Sequence, residues 1–206
     1  MRKKFGRLIF TNFFVDFFQL KNLEKLSEEL FRKELNTFEK YLPSNLESIM
    51  DIGCGLGILN IFINQKYTNS PNFFLLDKNK IDPKIKYGFN DNYESYNDLY
   101  ETKNILIKNG ISDRQIILKN VDEEITINKT IDLVLSLKSM GFHYPLQNYT
   151  ILLKKVCTKD TTFIFDVASE RYKTEDIKKY FEEVNIIYEE YSQHPLKRLY
   201  CKGLKI

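Results

Sequence analysis

Residues 48–62, "SIMDIGCGLGILNIF", run apolar into Asp51 and then set Gly53, Gly55 and Gly57 two positions apart before the apolar stretch resumes. The whole chain of 206 residues has only 8 glycines, so this cluster marks a tight turn. An apolar run, a glycine turn and a second apolar run read as strand, turn and helix, the opening unit of a parallel α/β sheet.

Downstream residues extend that unit. Strand-like runs at Ser48 to Ile52, Asn72 to Leu76, Gln115 to Lys119, Ile131 to Ser136 and Thr161 to Val167 alternate with helical stretches. This rhythm predicts parallel strands joined by crossover helices. At the end of the chain "VNIIYEEYS" and "LKRLYCKGLKI" are separated only by the short "QHP" region, which leaves no room for a helix and predicts an antiparallel pair. Before the glycines, Leu23 to Leu42 places Leu23, Leu26, Leu30, Leu35, Phe38 and Leu42 near one helical face, with Pro43 expected to end the helix. Between the second and third strands, "IDPKIKYGFNDNYESYNDLY" reads as an insertion leading into a helix near Tyr96 to Asn109.

Bulk properties narrow the class. The length suits one domain, read as residues 46–206, with a helical extension over 1–45. A net charge of +3, from 31 basic and 28 acidic residues, does not suggest a nucleic-acid binder, although basic clusters stand at Arg2 to Lys4 and at Lys197, Arg198 and Lys202. Cys54, Cys157 and Cys201 are widely spaced and form no Cys-x-x-Cys, so neither a disulfide framework, a zinc site nor any other metal is expected, and a reducing cytoplasm fits. The 13 Tyr and 16 Phe, the dense Lys, Asn and Ile, and the single alanine, Ala168, reflect an AT-rich coding bias. "MRKKFGRLIFTNFFVDFFQL" superficially resembles a signal peptide, but Asp16 interrupts it, no small-residue cleavage site follows, and it is too short and polar to span a bilayer. Its phenylalanines form one helical stripe, suited to packing on the domain or on a second copy in a homodimer, with a substrate lid or a membrane-surface helix as other readings.

The glycine spacing discriminates between ligands. Pyrophosphate-binding turns use Gly-x-Gly-x-x-Gly, whereas here the third such position is Ile58, and an acid stands two residues before the first glycine. A tight turn beside a carboxylate suits a ligand with a cationic amino group and a nucleoside. "DIGCGLG" resembles the first motif of the class I S-adenosylmethionine-dependent methyltransferases at every defined position. The resemblance covers roughly Ser48 to Ile206 and implies an α/β, Rossmann-like, seven-stranded, mostly parallel sheet with helices on both faces and a C-terminal antiparallel hairpin. It implies that Asp51, Gly53, Cys54, Gly55 and Gly57 form the cofactor loop, with Cys54 contributing backbone and no redox role. It further implies that Asp77 of "NFFLLDKN", 20 positions after Gly57 and beside Lys78, binds both ribose hydroxyls. Val121 and Asp122 of "IILKNVDEEI" would meet the adenine, with Asn120 at a usual small-residue position, and Ser136 and Leu137 would complete the cofactor site.

The acceptor is read from the segments outside that core. His143 follows the fourth strand and suits proton removal from a hydroxyl at neutral pH, while a histidine-aromatic packing element is the other reading. His194, beside Pro195, is expected on the surface. The chain lacks the Pro-Pro-aromatic motif of amino-directed enzymes, having "SLKSMGF" there, and it lacks the Pro-Cys of cytosine enzymes and the acidic triad of metal-assisted catechol types. A small-molecule, oxygen-directed enzyme remains. Phe13, Phe14, Tyr93, Tyr96, His143 and Tyr144 are candidate acceptor contacts, with Tyr87, Phe89 and Asn90 in the same insertion. Aromatic platforms with polar partners suit a sugar, and "YGFNDNYESYN" and "SMGFHYPLQNY" resemble bacterial sugar or capsular-polysaccharide methyltransferases, which implies a sugar or phosphorylated sugar and polysaccharide biosynthesis. Two alternatives are a non-catalytic cofactor-binding partner of the same fold and a nicotinamide-dependent oxidoreductase; Ile58 and the absence of Tyr-x-x-x-Lys after the fourth strand count against the latter.

Overall fold

The computed structural model describes residues 20–81, 96–192 and 195–205. The chain divides into two compact units, Met1–Asn36 and Thr37–Ile206. In the first, α1 (Leu20–Asn36) carries an exposed Arg32–Glu28 pair at 2.9 Å across one turn. The helix does not run to Pro43 as its periodicity predicts. Phe38 leaves helical geometry at φ −135°, ψ −2°, and a separate 3-10 turn spans Glu39–Tyr41. Tertiary contacts override the local pattern here: Phe38 is fully buried, and Thr37 accepts a hydrogen bond from the Arg198 guanidinium at 2.5 Å.

The second unit is built on seven strands. These are β1 (Ser48–Ile52), β2 (Asn72–Asp77), β5 (Ile116–Asn120), β6 (Leu133–Ser136), β7 (Thr162–Ala168), β8 (Phe181–Glu190) and β9 (Leu196–Leu204), in the spatial order β5-β2-β1-β6-β7-β9-β8. The first five strands of that order run parallel, and β9 pairs antiparallel with both β7 and β8. The expected mostly parallel sheet with a terminal antiparallel hairpin is therefore the observed one. A one-residue bulge between Ile186 and Tyr188 bends the long β8–β9 ribbon.

Every residue of β1 is buried, as a central strand covered on both faces requires. Alternation sends Met50 and Ile52 into a cluster with Phe163, Phe165, Leu153 and Val156, the last two from α4 (Thr150–Val156). Asp51 takes the opposite face, toward α2 (Ile58–Asn64). Helices thus cover both faces. A short antiparallel pair, β3 (Lys80–Ile81) with β4 (Tyr96–Asn97), precedes α3 (Leu99–Lys108), so the helix expected from Tyr96 starts later. The reason is local: the Asp98 carboxylate accepts from the backbone N–H of Tyr100 and Glu101 and caps the helix there. α5 (Thr174–Lys178) leads into β8. Among the described residues no helix is long and apolar enough to cross a membrane.

Strand order reverses beside β1, with β2 and β5 on one side and β6 and β7 on the other. The crevice at the carboxyl ends of the strands flanking such a reversal is where open α/β sheets receive ligands. Asp77, Ser136 and the glycine turn all lie at that edge.

Candidate active site

The turn after β1 is held by close approach from two directions. Gly53 (φ +76°) donates to the Leu76 carbonyl at 2.7 Å, and a Cβ there would lie 2.3 Å from Ser139. Gly57 (φ +68°) faces α3, where a Cβ would meet Leu106 at 2.7 Å and Thr102 at 3.1 Å. Both positions combine a left-handed backbone with no room for a side chain, which only glycine satisfies. At Gly55 the added Cβ would meet no described residue within 4 Å, so among the described residues the middle of the turn faces open space.

Two carboxylates flank that space. Asp77 closes β2 and accepts from three donors: the Gly55 N–H at 2.8 Å, the Asn97 amide at 3.1 Å and the Lys78 N–H at 2.7 Å. A carboxylate offers about four lone-pair sites, so Asp77 braces the loop and keeps acceptor capacity. Burial raises its pKa, offset in part by the Gly55, Lys78 and Asn97 hydrogen bonds. Asp51 is more deeply enclosed, at 6% exposure. Burial lifts its pKa to about 7, against the pull of a 2.6 Å hydrogen bond from the Asn60 amide, and the charge of Asp77 adds to the rise. Burial, with these two carboxylates, also drives the Cys54 thiol well above its usual value, so Cys54 stays a protonated thiol.

Other expected residues gather at the same edge. Asp77 is in register with Asn120, and the Val121 N–H donates to the Asp77 carbonyl at 3.0 Å. Asp122 is exposed and lies 3.9 Å from the Lys78 ammonium. The buried Ser136 hydroxyl donates to the Ile52 carbonyl at 2.8 Å and accepts from the Met140 N–H at 2.9 Å, tying β1 to the loop after β6. Leu137 is half-buried on that loop. In the loop, Ser139 O accepts from the His143 N–H at 2.8 Å and from the Tyr144 N–H at 3.1 Å. The His143 ring meets Phe142 edge-on at 4.9 Å. Lys138 has φ +58°, rare for a residue with a side chain, and it precedes the serine that touches Gly53.

Phe13, Phe14, Tyr87, Phe89, Asn90, Tyr93 and His194 lie outside the described residues, as does the N-terminal aromatic stripe; Tyr96 sits on β4. The expected basic cluster near the C-terminus is corrected: Arg198 is fully buried against Asp166. Alternation along β9 turns Arg198 to the face opposite Lys197, and Lys197 and Lys202 are half-buried.

Sequence reasoning missed Asn60, Asn97, Thr102, Ser139 and Tyr149. Asn97 and the Thr102 hydroxyl both donate to the Gly55 carbonyl, at 3.0 and 2.7 Å. Burial pushes the Tyr149 phenol up to about 12, with the Ser139 hydroxyl beside it opposing the shift and Tyr144 and Asp77 adding to it. The one legible signal was Asn60, a polar residue inside the apolar run "ILNIFI".

No protein-family model matches the chain, and no curated protein does. Solved structures do. Magnesium protoporphyrin IX methyltransferase from Synechocystis PCC 6803, with bound SAM, is 16% identical with a TM-score of 0.53, over 89% of this chain and 82% of that one. Ribosomal protein L11 methylase from Lactobacillus delbrueckii subsp. bulgaricus is 15% identical with a TM-score of 0.51, over 82% and 76%. Precorrin-6y C5,15-methyltransferase from Geobacter metallireducens GS-15 is 16% identical with a TM-score of 0.50, over 85% and 88%. At these identities the likeness establishes the fold, and the three named acceptors differ too much to indicate one for this chain.

Proposed function

We propose that this chain is an S-adenosylmethionine-dependent methyltransferase acting on an oxygen of a small hydroxylated acceptor, such as a sugar or polysaccharide precursor. One observation carries the reading: buried Asp51 and half-buried Asp77 flank a left-handed glycine turn that opens onto the strand-order reversal. The residues present fit the cofactor. Asp77 retains acceptor capacity for ribose hydroxyls, and among the described residues Gly55 leaves open space and buried Asp51 has no cation among the groups that shift it.

When bound, the cofactor supplies an electrophilic methyl group on a sulfonium. Asp77 holds the ribose, Gly53, Cys54, Gly55 and Gly57 line the aminoacyl end with backbone, and Val121 and Asp122 border the base, with Lys78 set against Asp122. Ser136 fixes the loop beyond β6, where Leu137 completes the cofactor site and His143 and Tyr144 stand at the acceptor side. There His143 takes the hydroxyl proton while the acceptor is aligned for in-line displacement. Supporting the oxygen-directed reading are the histidine at this loop and the absence of the other acceptor motifs from the sequence. The acceptor is a small molecule, not a nucleic acid.

S-adenosylhomocysteine is expected to bind in calorimetry and to raise the melting temperature by mass action. Asp77→Ala should weaken that binding by about 1–3 kcal/mol, since a buried polar partner is left unsatisfied. Unchanged affinity would make Asp77 a loop brace only, and no binding at millimolar ligand would reject the proposal. With a panel of sugar acceptors, His143→Ala is expected to lower kcat by about 10²-fold with S-adenosylhomocysteine affinity intact. Normal turnover in the folded variant would remove the base role, and binding without turnover on any acceptor would favour the non-catalytic partner.

A further inference from the structure

Asn60 has no place in the site as read from sequence, yet it is the only group that the structure sets in hydrogen-bond contact with the Asp51 side chain among the described residues. It is wholly buried on α2, and its Nδ2 donates to Asp51 Oδ2 at 2.6 Å. Its other end, Oδ1, is buried with no hydrogen-bond partner among the described residues. A buried unpaired carbonyl oxygen costs free energy, so its persistence calls for an explanation.

The chemistry of a primary amide supplies one. It presents donors at one end and an acceptor at the other, and half a turn about its last torsion exchanges them. An ionised Asp51 takes the donor end. A protonated Asp51 carries an O–H that the acceptor end can receive. Asn60 thus has a partner for either form of its neighbour. Among the described residues the remaining groups around Asp51 are Asp77 from β2 and the Cys54 thiol from the glycine turn, so a like charge and a neutral thiol face it, and no described side-chain cation counters its charge. Asp51 is 6% exposed and Asn60 is wholly buried.

We infer that Asp51 and Asn60 form a proton-exchanging receiver for a cation: the ammonium of the cofactor's aminoacyl end takes the place of a proton on Asp51, and Asn60, which can meet either form, binds the ionised one more strongly through its donor end. This rests on the cofactor assignment above and deepens it. The Asp51 O–H bond breaks, its electron pair stays on the carboxylate and its proton passes to solvent as one cation arrives; no other covalent bond changes. Asn60 is a positioning residue that acts through Asp51. The arrangement selects for a charged tail over a bare nucleoside, and it links cofactor loading to pH.

The test is calorimetry of the full chain with S-adenosylhomocysteine in two buffers of different ionisation enthalpy. With Asp51 titrating at about 7 in the free protein, binding should release close to one proton at pH 6 and about a quarter of a proton at pH 7.5. The dissociation constant should fall about eightfold between those two pH values. Adenosine, which lacks the charged tail, should bind with no proton release. Asn60→Leu removes the donor that favours the ionised acid, so the pH midpoint of S-adenosylhomocysteine affinity should move upward, a shift that loss of packing alone would not produce. An unmoved midpoint in folded Asn60→Leu overturns the proposal. Should that variant fail to fold, the wild-type proton count decides alone: binding without proton release overturns this proposal and leaves the cofactor assignment standing, whereas no binding overturns both.

Discussion

Arg198→Met is expected to lower the unfolding free energy by about 3–5 kcal/mol, seen as a fall in the urea midpoint. Arg198 and Asp166 are both fully buried and face each other across β9 and β7. Two parallel hydrogen bonds join them, Nε to Oδ1 at 2.8 Å and Nη2 to Oδ2 at 2.9 Å. The guanidinium also reaches Thr37 and lies 5.6 Å from the Phe38 ring and 5.5 Å from the Tyr188 ring. Removing it strips Asp166 of both charged donors inside the core, and a buried carboxylate without its counter-charge is the costly state. Against a usual stability of about 5–15 kcal/mol, the loss is about a fifth or more of the total. Replacing both partners, Asp166→Leu with Arg198→Met, should restore much of it, because no charge is then left to desolvate. Additive losses in that double-mutant cycle would show that the pair is not the source of the effect.

Asp51→Asn is expected to stabilise the free protein at pH 8 while weakening S-adenosylhomocysteine binding about 10- to 100-fold, the range for a hydrogen bond to a charged group. The sign follows from proton counts. In the folded chain the Asp51 pKa is raised from 3.8 to about 7, so the folded state holds its proton where the unfolded state has released it. The contribution of Asp51 to stability is therefore fully present below pH 4 and is lost as pH rises toward 7, by about 4 kcal/mol in all. The substituted amide does not titrate, so urea midpoints of variant and parent should separate progressively from pH 5 to pH 8, with the variant higher. Its N–H can also donate to the unpaired Asn60 Oδ1. Midpoints that run parallel across this pH range would mean that Asp51 does not titrate there in the folded chain. The same carboxylate would thus be a burden to the fold and an asset to the ligand site, as stored strain at functional sites commonly is.

The architecture was legible because its code is local. Ser48 to Ile52 and Asn72 to Leu76 are apolar runs bounded by turn residues, and the two strands begin at those positions, β2 running one residue further to Asp77. The tail hairpin followed from having no room for a helix, although β8 starts at Phe181, ahead of the run that suggested it. The glycine turn was legible for the same reason: a left-handed backbone demands glycine whatever surrounds it.

What the tertiary structure alone decided are the contacts between distant positions. Helix α1 stops short of Pro43 because Phe38 is buried and Thr37 bonds Arg198, 161 positions away, which no periodicity records. Asn97 reaches Gly55 across 42 positions, and Ser139 rests on Gly53 across the sheet edge, so neither role is written near the residue that performs it. Arg198 sits in a basic stretch of sequence and is nevertheless buried, since strand alternation sets which way it turns and Asp166 supplies its counter-charge. Asp51 is a plain acid in the sequence; only the enclosure by β1, β2 and α2, with Asn60 against it and Asp77 nearby, moves its titration to about 7. Backbone demands and burial runs are properties of neighbouring residues and survive in sequence, whereas desolvation, ion pairing and the choice of partner arise only when the sheet brings remote residues together.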